Sequence, residues 1–327
     1  MNLRTLSHHL LFFPVCLVFS TAALAGDAAH EWLMKINQAA RMLDYEGVFV
    51  YQHETQLEAM RIIHKVENGA ARERLVSLNG APREIIRDKR EVTCYWPDKN
   101  SVMVEYRKAD SQTFPAILPE HIQDLDDYYA IRLGSMERIT GRPAQLVIVK
   151  PIDQYRYGYH LWADKETGLL LKADLLDTQG RILEQFMFTH INIGTKIPAS
   201  ALAPGVVGKG MVWHREEEDL KTIPAKPGWM AAKLPKGFRL SAHISRQTVM
   251  RKRPVEHLVY TDGLAAVSVF VEKRGEDTKP FMLGPSRMGA VNALGSRIAD
   301  YQVTTVGEVP AETIALIGGS VTPVANQ

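Results

Sequence analysis

Apolar residues keep one period near the start of the chain and a different one after residue 47. Trp32, Ile36, Ala40 and Leu43 recur at helical spacing behind Asp27, a residue type that caps helix starts, so the pattern predicts an amphipathic helix over 28–43. Gly47 opens a strand, 47–52, and alternating or wholly apolar runs follow at about 60–66, 72–78, 84–88, 91–96, 101–107, 129–139, 144–150, 156–163, 169–176 and 181–192. Turn signals separate them, among them Asn68-Gly69, Asn79-Gly80, Pro97-Asp98, Gly141-Arg142-Pro143, Glu166-Thr167-Gly168 and Gln179-Gly180. One break differs: Pro119 begins a polar stretch with Ile122 and Leu125 three apart, which predicts a short inserted helix over 119–127. A sheet this long must curl or be covered, because flat sheets leave adhesive edges. The expected fold class is therefore mainly β with helices (α+β), a curved antiparallel sheet around an apolar interior with two helical segments as its cover.

Residues 204–228 have a linker's composition, with Pro204, Gly205, Gly208, Gly210, a charged run Arg215–Asp219, Pro224, Pro227 and Gly228. They divide an N-terminal domain, 26–203, from a smaller α+β C-terminal domain, 229–320. The second domain is expected to hold strands near 238–246, 255–261, 265–272, 287–294 and 300–306, with Asp262-Gly263 as a hairpin turn. A helix, Pro310–Ile317, ends at Gly318-Gly319, and 321–327 reads as a frayed tail.

The first 25 residues read as a secretory signal: Arg4 is the positive end, Leu10 to Phe19 the apolar core, and Ala23-Leu24-Ala25 the small-residue cleavage site before Gly26. No later segment has an unbroken apolar run long enough to span a bilayer, so the expectation is a soluble, exported protein. Cys16 leaves with the signal, and the remaining Cys94 cannot form an internal disulfide. Without the signal the chain has 38 Lys and Arg against 37 Asp and Glu, but the charge is uneven: net −2 over 26–213 and net +4 over 230–327. That asymmetry points weakly to an anionic partner for the C-terminal part and is too small to argue for nucleic acid.

Catalytic signatures are missing from the sequence: no HExxH, no GxSxG, no phosphate-binding loop, and no cofactor motif. The nine histidines after the signal show no pair three or four apart, which gives no helix-borne metal site, and His64, His160 and His190 read as ordinary sheet residues. Asp124, Asp126 and Asp127 read as a solvated acidic face. Two groups are candidate partner or lipid contacts. Tyr155, Tyr157 and Tyr159 share one face of a strand by period two, either as sheet packing or as the wall of a ligand or partner surface. Arg246, Arg251, Lys252 and Arg253 are the densest basic cluster, either a solvated loop or an anion site for acidic side chains or lipid phosphates.

Several strings, in order, carry a resemblance. They are Gly47–Gln52 (GVFVYQ), Arg72–Gly80 (RERLVSLNG) with Pro82–Ile86 (PREII), Cys94–Asp98 (CYWPD), Tyr157–Asp164 (YGYHLWAD) and Thr167–Lys172 (TGLLLK). Pro254–Gly263 (PVEHLVYTDG), Val267–Glu272 (VSVFVE) and Gly289–Asn292 (GAVN) follow in the second domain. Together they resemble the sigma-E factor regulatory protein family, RseB or MucB. The resemblance implies a periplasmic, non-enzymatic negative regulator of the Gram-negative envelope stress response. It implies a half-open antiparallel β-barrel similar to LolA and LolB, joined to the smaller domain. The implied partner is the periplasmic part of a membrane anti-sigma factor, RseA or MucA, which such proteins shield from proteolysis so that sigma-E or AlgU stays inactive. Lipopolysaccharide or a mislocalised lipoprotein would relieve the shielding. A stand-alone lipid or lipoprotein carrier and an exported hydrolase are the alternatives, and the sequence leaves monomer or homodimer open.

Overall fold

Period-two alternation becomes a long meander in the computed structural model, which describes residues 22–106, 125–205, 210–215, 228–246, 255–275 and 283–324. Helix α1 (Ala22–Met42) leads into β1 (Tyr45–His53), β2 (Gln56–Glu67), β3 (Ala70–Ser77), β4 (Glu84–Arg87), β5 (Glu91–Trp96) and β6 (Ser101–Tyr106). Then come β7 (Tyr129–Ile139), β8 (Arg142–Pro151), β9 (Gly158–Asp164), β10 (Leu170–Leu176) and β11 (Ile182–Ile193). Among the described residues these and β12 (Val212–Arg215) form one sheet, ordered β12-β6-β5-β4-β3-β2-β1-β11-β10-β9-β8-β7. The sheet is open, with β12 and β7 at its edges, and antiparallel except where β12 pairs with β6. Part of the segment read as linker is thus an edge strand. Its Gly-rich approach hid the strand, because Gly205 to Gly210 breaks any alternation leading into it.

Helix α1 lies across β7, β8 and β10 and buries Leu33, Ile36, Ala39 and Ala40 along one stripe; of the expected stripe Ile36 and Ala40 are buried, while Trp32 and Leu43 pack partly buried against the core. The opposing strands supply Leu146, Leu161, Leu170, Ala173 and Phe188. Each Leu, Ile or Phe among them contributes roughly 1.5–3 kcal/mol by leaving water. Glycine is required at Gly47 by close approach and at Gly141 by turn geometry. A Cβ on Gly47 would stand 2.5 Å from the His190 carbonyl oxygen, which is how β1 and β11 pack so closely, and Gly141 has φ 79 in the β7–β8 turn. The short helix expected over 119–127 lies outside the described residues except at its end, where Leu125 is fully buried. The signal segment lies outside them up to residue 21.

The corner after α1 is tied to β2. His64 is fully buried, its Nδ1 stands 3.0 Å from the Leu43 carbonyl oxygen, and its ring stacks on Tyr45 at 4.6 Å. The Val66 amide donates to Asp44 Oδ1 at 2.8 Å. Burial lowers the His64 pKa below 6.5, opposed in part by the Leu43 carbonyl and by Asp44. The folded state therefore binds a proton less readily than the unfolded chain. This contribution is present above pH 6.5 and is lost as pH falls below it. The urea midpoint should drop between pH 7 and pH 5, and His64→Gln should shrink that drop; equal drops in both proteins would remove His64 as the cause.

The second domain has β13 (Trp229–Ala231), β14 (Arg239–Arg246), β15 (Val255–Thr261), β16 (Ala266–Lys273), β17 (Gly284–Met288), β18 (Val291–Ile298) and β19 (Tyr301–Gly307). Helix α2 (Ala311–Gly318) and β20 (Val321–Pro323) close it. Among the described residues six strands form a sheet ordered β14-β15-β16-β19-β18-β17, and α2 packs on β18 and β19 with Ile314 and Ile317 buried. Two expectations change. The single strand over 287–294 is two strands, split where Gly289 takes φ 61 in a two-residue turn between Met288 and Val291. Part of the expected tail, 321–323, pairs with β13.

Candidate functional site

Two hairpin turns of the second domain press into the first. The β15–β16 turn brings Asp262 and Leu264, and the β17–β18 turn brings Gly289 and Ala290. Ala290 is fully buried within the apolar core of the first domain, and Leu264 packs against the same core. The junction is built around a charge that the sequence reading passed over, Arg156, between β8 and β9. It is 0 % exposed. Its Nε donates to Asp262 Oδ2 at 2.5 Å, and its other nitrogens donate to Asp153 and to the Lys236 carbonyl. The guanidinium lies 4.9 Å from the centre of the Tyr128 ring and 5.1 Å from that of Phe238, which places it between aromatic faces from both domains.

Asp262 is equally buried and fully satisfied. Oδ2 takes Arg156 and the Tyr129 hydroxyl at 3.2 Å, while Oδ1 takes the Leu264 and Ala265 amides at 2.9 and 2.7 Å. Burial alone would work against the Arg156 charge, but the Asp262 bond and the charges of Asp262 and Asp153 hold its pKa above the ordinary value. Burial and then the Asp262 charge push the Tyr129 phenol well up, so it remains a neutral donor.

The three candidate tyrosines reach this junction by different routes. The strand that was to carry all three begins only at Gly158, so Tyr155 and Tyr157 precede it and the three do not form one stripe. The bend held by the Tyr155 amide on Asp153 Oδ1 ends the alternation early. Tyr155 contributes its backbone carbonyl, which accepts from Thr313 Oγ1 at 2.7 Å at the start of α2. Tyr157 donates from its hydroxyl to the Ala290 carbonyl at 3.2 Å and accepts from Asn292 Nδ2 at 3.1 Å. Tyr159 is buried in β9 within the same core. Burial is the first cause raising both phenols. The basic cluster is elsewhere. Arg246 ends β14 opposite Val255, at the far end of β15 from Asp262, and seven residues of strand put roughly 23 Å between them. Arg251, Lys252 and Arg253 lie outside the described residues.

The chemistry of the junction is that of docking. Its buried charges and hydroxyls are matched to one another and to backbone groups across two domains. Among the described residues no three His, Cys, Asp or Glu side chains are grouped to hold a metal ion. No helix among them is long and apolar enough to cross a membrane.

Residues 28–206 match the MucB/RseB N-terminal domain and residues 224–322 the MucB/RseB C-terminal domain. The chain belongs to the MucB/RseB family. Over 330 residues it is 34% identical to the sigma factor AlgU regulatory protein MucB of Pseudomonas aeruginosa, covering 99% of each chain. It is 27% identical to the sigma-E factor regulatory protein RseB of Escherichia coli, covering 93% of this chain and 94% of that one. Two solved MucB/RseB family structures are similar throughout. The crystal structure of MucB in complex with MucA(peri) gives a TM-score of 0.69 at 31% identity, covering 91% of this chain and all of that one (100%). The complex structure of P. aeruginosa MucA/MucB gives 0.71 at 32% identity with the same coverage, 91% and 100%.

Proposed function

We propose that this protein is a periplasmic regulator. In this reading it binds the periplasmic segment of a MucA- or RseA-type membrane anti-sigma factor, shields it from regulated proteolysis and so keeps the sigma factor inactive. A lipid or lipoprotein stress signal would end the shielding. The observation that carries this reading is the full-length similarity to MucB, whose structure has been solved with MucA(peri). The two-domain junction supports it physically, because a partner that grips both domains is sensitive to their mutual arrangement. Arg246, Arg251, Lys252 and Arg253 are the proposed contact for an anionic lipid or acidic segment, as the densest basic cluster of the part of the chain that holds the positive excess.

The test is binding of a labelled periplasmic segment of MucA to the intact protein, followed by fluorescence anisotropy with and without lipopolysaccharide, alongside cleavage of that segment by a site-specific protease. Saturable binding, slower cleavage of the bound segment and release by lipopolysaccharide are expected. Changing the four basic residues to Ala should weaken the lipopolysaccharide effect and flatten its dependence on salt. An absence of saturable binding would reject the regulator reading, and a salt profile like that of the unaltered protein would reject the basic contact.

A further inference from the structure

Helix α2 covers one face of the second domain's sheet. Val271 and Val303 share a core with Ile314 and Ile317 of that helix, and a Cβ on its Gly318 would stand 2.7 Å from Thr305 Oγ1. Alternation along β16 and β19 therefore puts Phe270, Glu272, Gln302 and Thr304 on the opposite face. The register sets them out in two rows. Val255, Glu272, Gln302 and Arg297 lie side by side across β15, β16, β19 and β18, and His257, Phe270 and Thr304 form the next row. A cavity of about 320 Å³ opens over these rows, lined among the described residues by Val255, Phe270, Glu272, Gln302 and Thr304. Val255 begins β15 and Asp262 follows its end, so the cavity lies away from the domain junction.

That volume is at the small end of cavities that hold small molecules, roughly 300–1,000 Å³. Val255 and Phe270 form an apolar floor. The His257 ring stacks on Phe270 at 4.2 Å and steadies it, with His257 Nε2 3.0 Å from Ser268 Oγ. The remaining lining side chains all form hydrogen bonds. Among them Gln302 Oε1 is buried and has no hydrogen-bond partner. Burying an acceptor without a partner is unfavourable, and native proteins rarely do it without a use. The terminal torsion of a Gln side chain is soft, so a small rotation presents either end of the amide to an occupant.

We propose that this cavity is a binding site for a neutral sugar ring, seated with one C–H face on Phe270 and its hydroxyls on Gln302, Thr304 and Glu272. Hydroxyls donate and accept, which a carboxylate, an amide and a hydroxyl together require. The phenol ring of a tyrosine would cover the same floor, but its single hydroxyl would leave two of the three polar side chains unserved. A charged ligand gains little. Glu272 would attract a cation and Arg297, beyond Gln302 in the same row, would repel it, and an anion meets the reverse. The site is separate from the contacts proposed for the anti-sigma segment, and neither reading depends on the other.

Saturation-transfer NMR on the intact protein tests this, with methyl β-D-glucoside, D-glucosamine, D-glucuronate and N-acetyltyrosinamide as probes. The glucoside should bind saturably, with transfer strongest at the axial C–H groups of one ring face. The cationic and anionic sugars should bind more weakly. Gln302→Met keeps the side chain's length and removes its amide; it should weaken glucoside binding about tenfold, the size of one hydrogen bond to a buried group. Thr304→Val should weaken it in the same direction. The comparison of the four probes on the unaltered protein needs no variant, so it decides even where a variant fails to fold. No saturable transfer to the glucoside, tighter binding of a charged sugar or of the tyrosinamide, or folded Gln302→Met and Thr304→Val proteins that both bind the glucoside like the parent would each overturn the proposal.

Discussion

Replacing Arg156 with Met should cost about 3–5 kcal/mol of stability, read from urea unfolding, the cost of leaving one member of a buried ion pair alone. Asp262 would lose its ion-pair partner while fully buried, keeping only the Tyr129 hydroxyl and two amides. The domains should also part more readily, so that limited proteolysis cuts faster near the junction. Adding Asp262→Asn should recover part of the loss, because the unpaired charge is then gone while an acceptor remains for the turn amides. A single-variant cost under about 1 kcal/mol would mean that the pair behaves as an exposed surface bridge.

A comparable loss is expected from Gly237→Ala, at the other side of the same arginine. Gly237 has φ 88, and a Cβ there would stand 2.3 Å from the Tyr128 ring. The left-handed backbone costs an Ala about 1–2 kcal/mol, and displacing the ring adds roughly 1–3 kcal/mol. Tyr128 is one of the faces that hold the Arg156 guanidinium, so the junction should feel the shift. The check is thermal and urea unfolding together with the fluorescence of the junction aromatics. An Ala variant within about 0.5 kcal/mol of the parent would show that the ring moves away freely.

Much of the fold was legible because its signals are local. Strands such as β5 and β7 have the predicted bounds, 91–96 and 129–139, since alternation inside them and turn residues beside them agree. Where a turn lacks polar residues the reading ran through it. Gly289-Ala290 looks like continuing apolar strand, yet it is the turn that enters the first domain. The candidate site was only half visible. The tyrosines drew notice as an aromatic run, and two of them do touch the second domain. Arg156, between them, looked like an ordinary charge, because its partner Asp262 is 106 positions away and no local pattern links the two. An arginine flanked by two tyrosines was the available signal. Arg246 was placed with the basic cluster by composition alone, and sequence proximity carried no information on its distance from the junction.

The two turns that enter the first domain also bear on how the chain is made. Among the described residues, Ala290 is part of a core whose other buried members lie between Leu33 and Ile191. Synthesis runs from the N-terminus, so that core is assembled with a gap until residue 290 has emerged, about a hundred residues after its last neighbour. During that interval the nascent first domain exposes apolar surface at the very place where Leu264 and Ala290 will seat. Truncated chains ending before the second domain should therefore be held by chaperones, and the completed protein should melt in one transition in which both domains lose structure together.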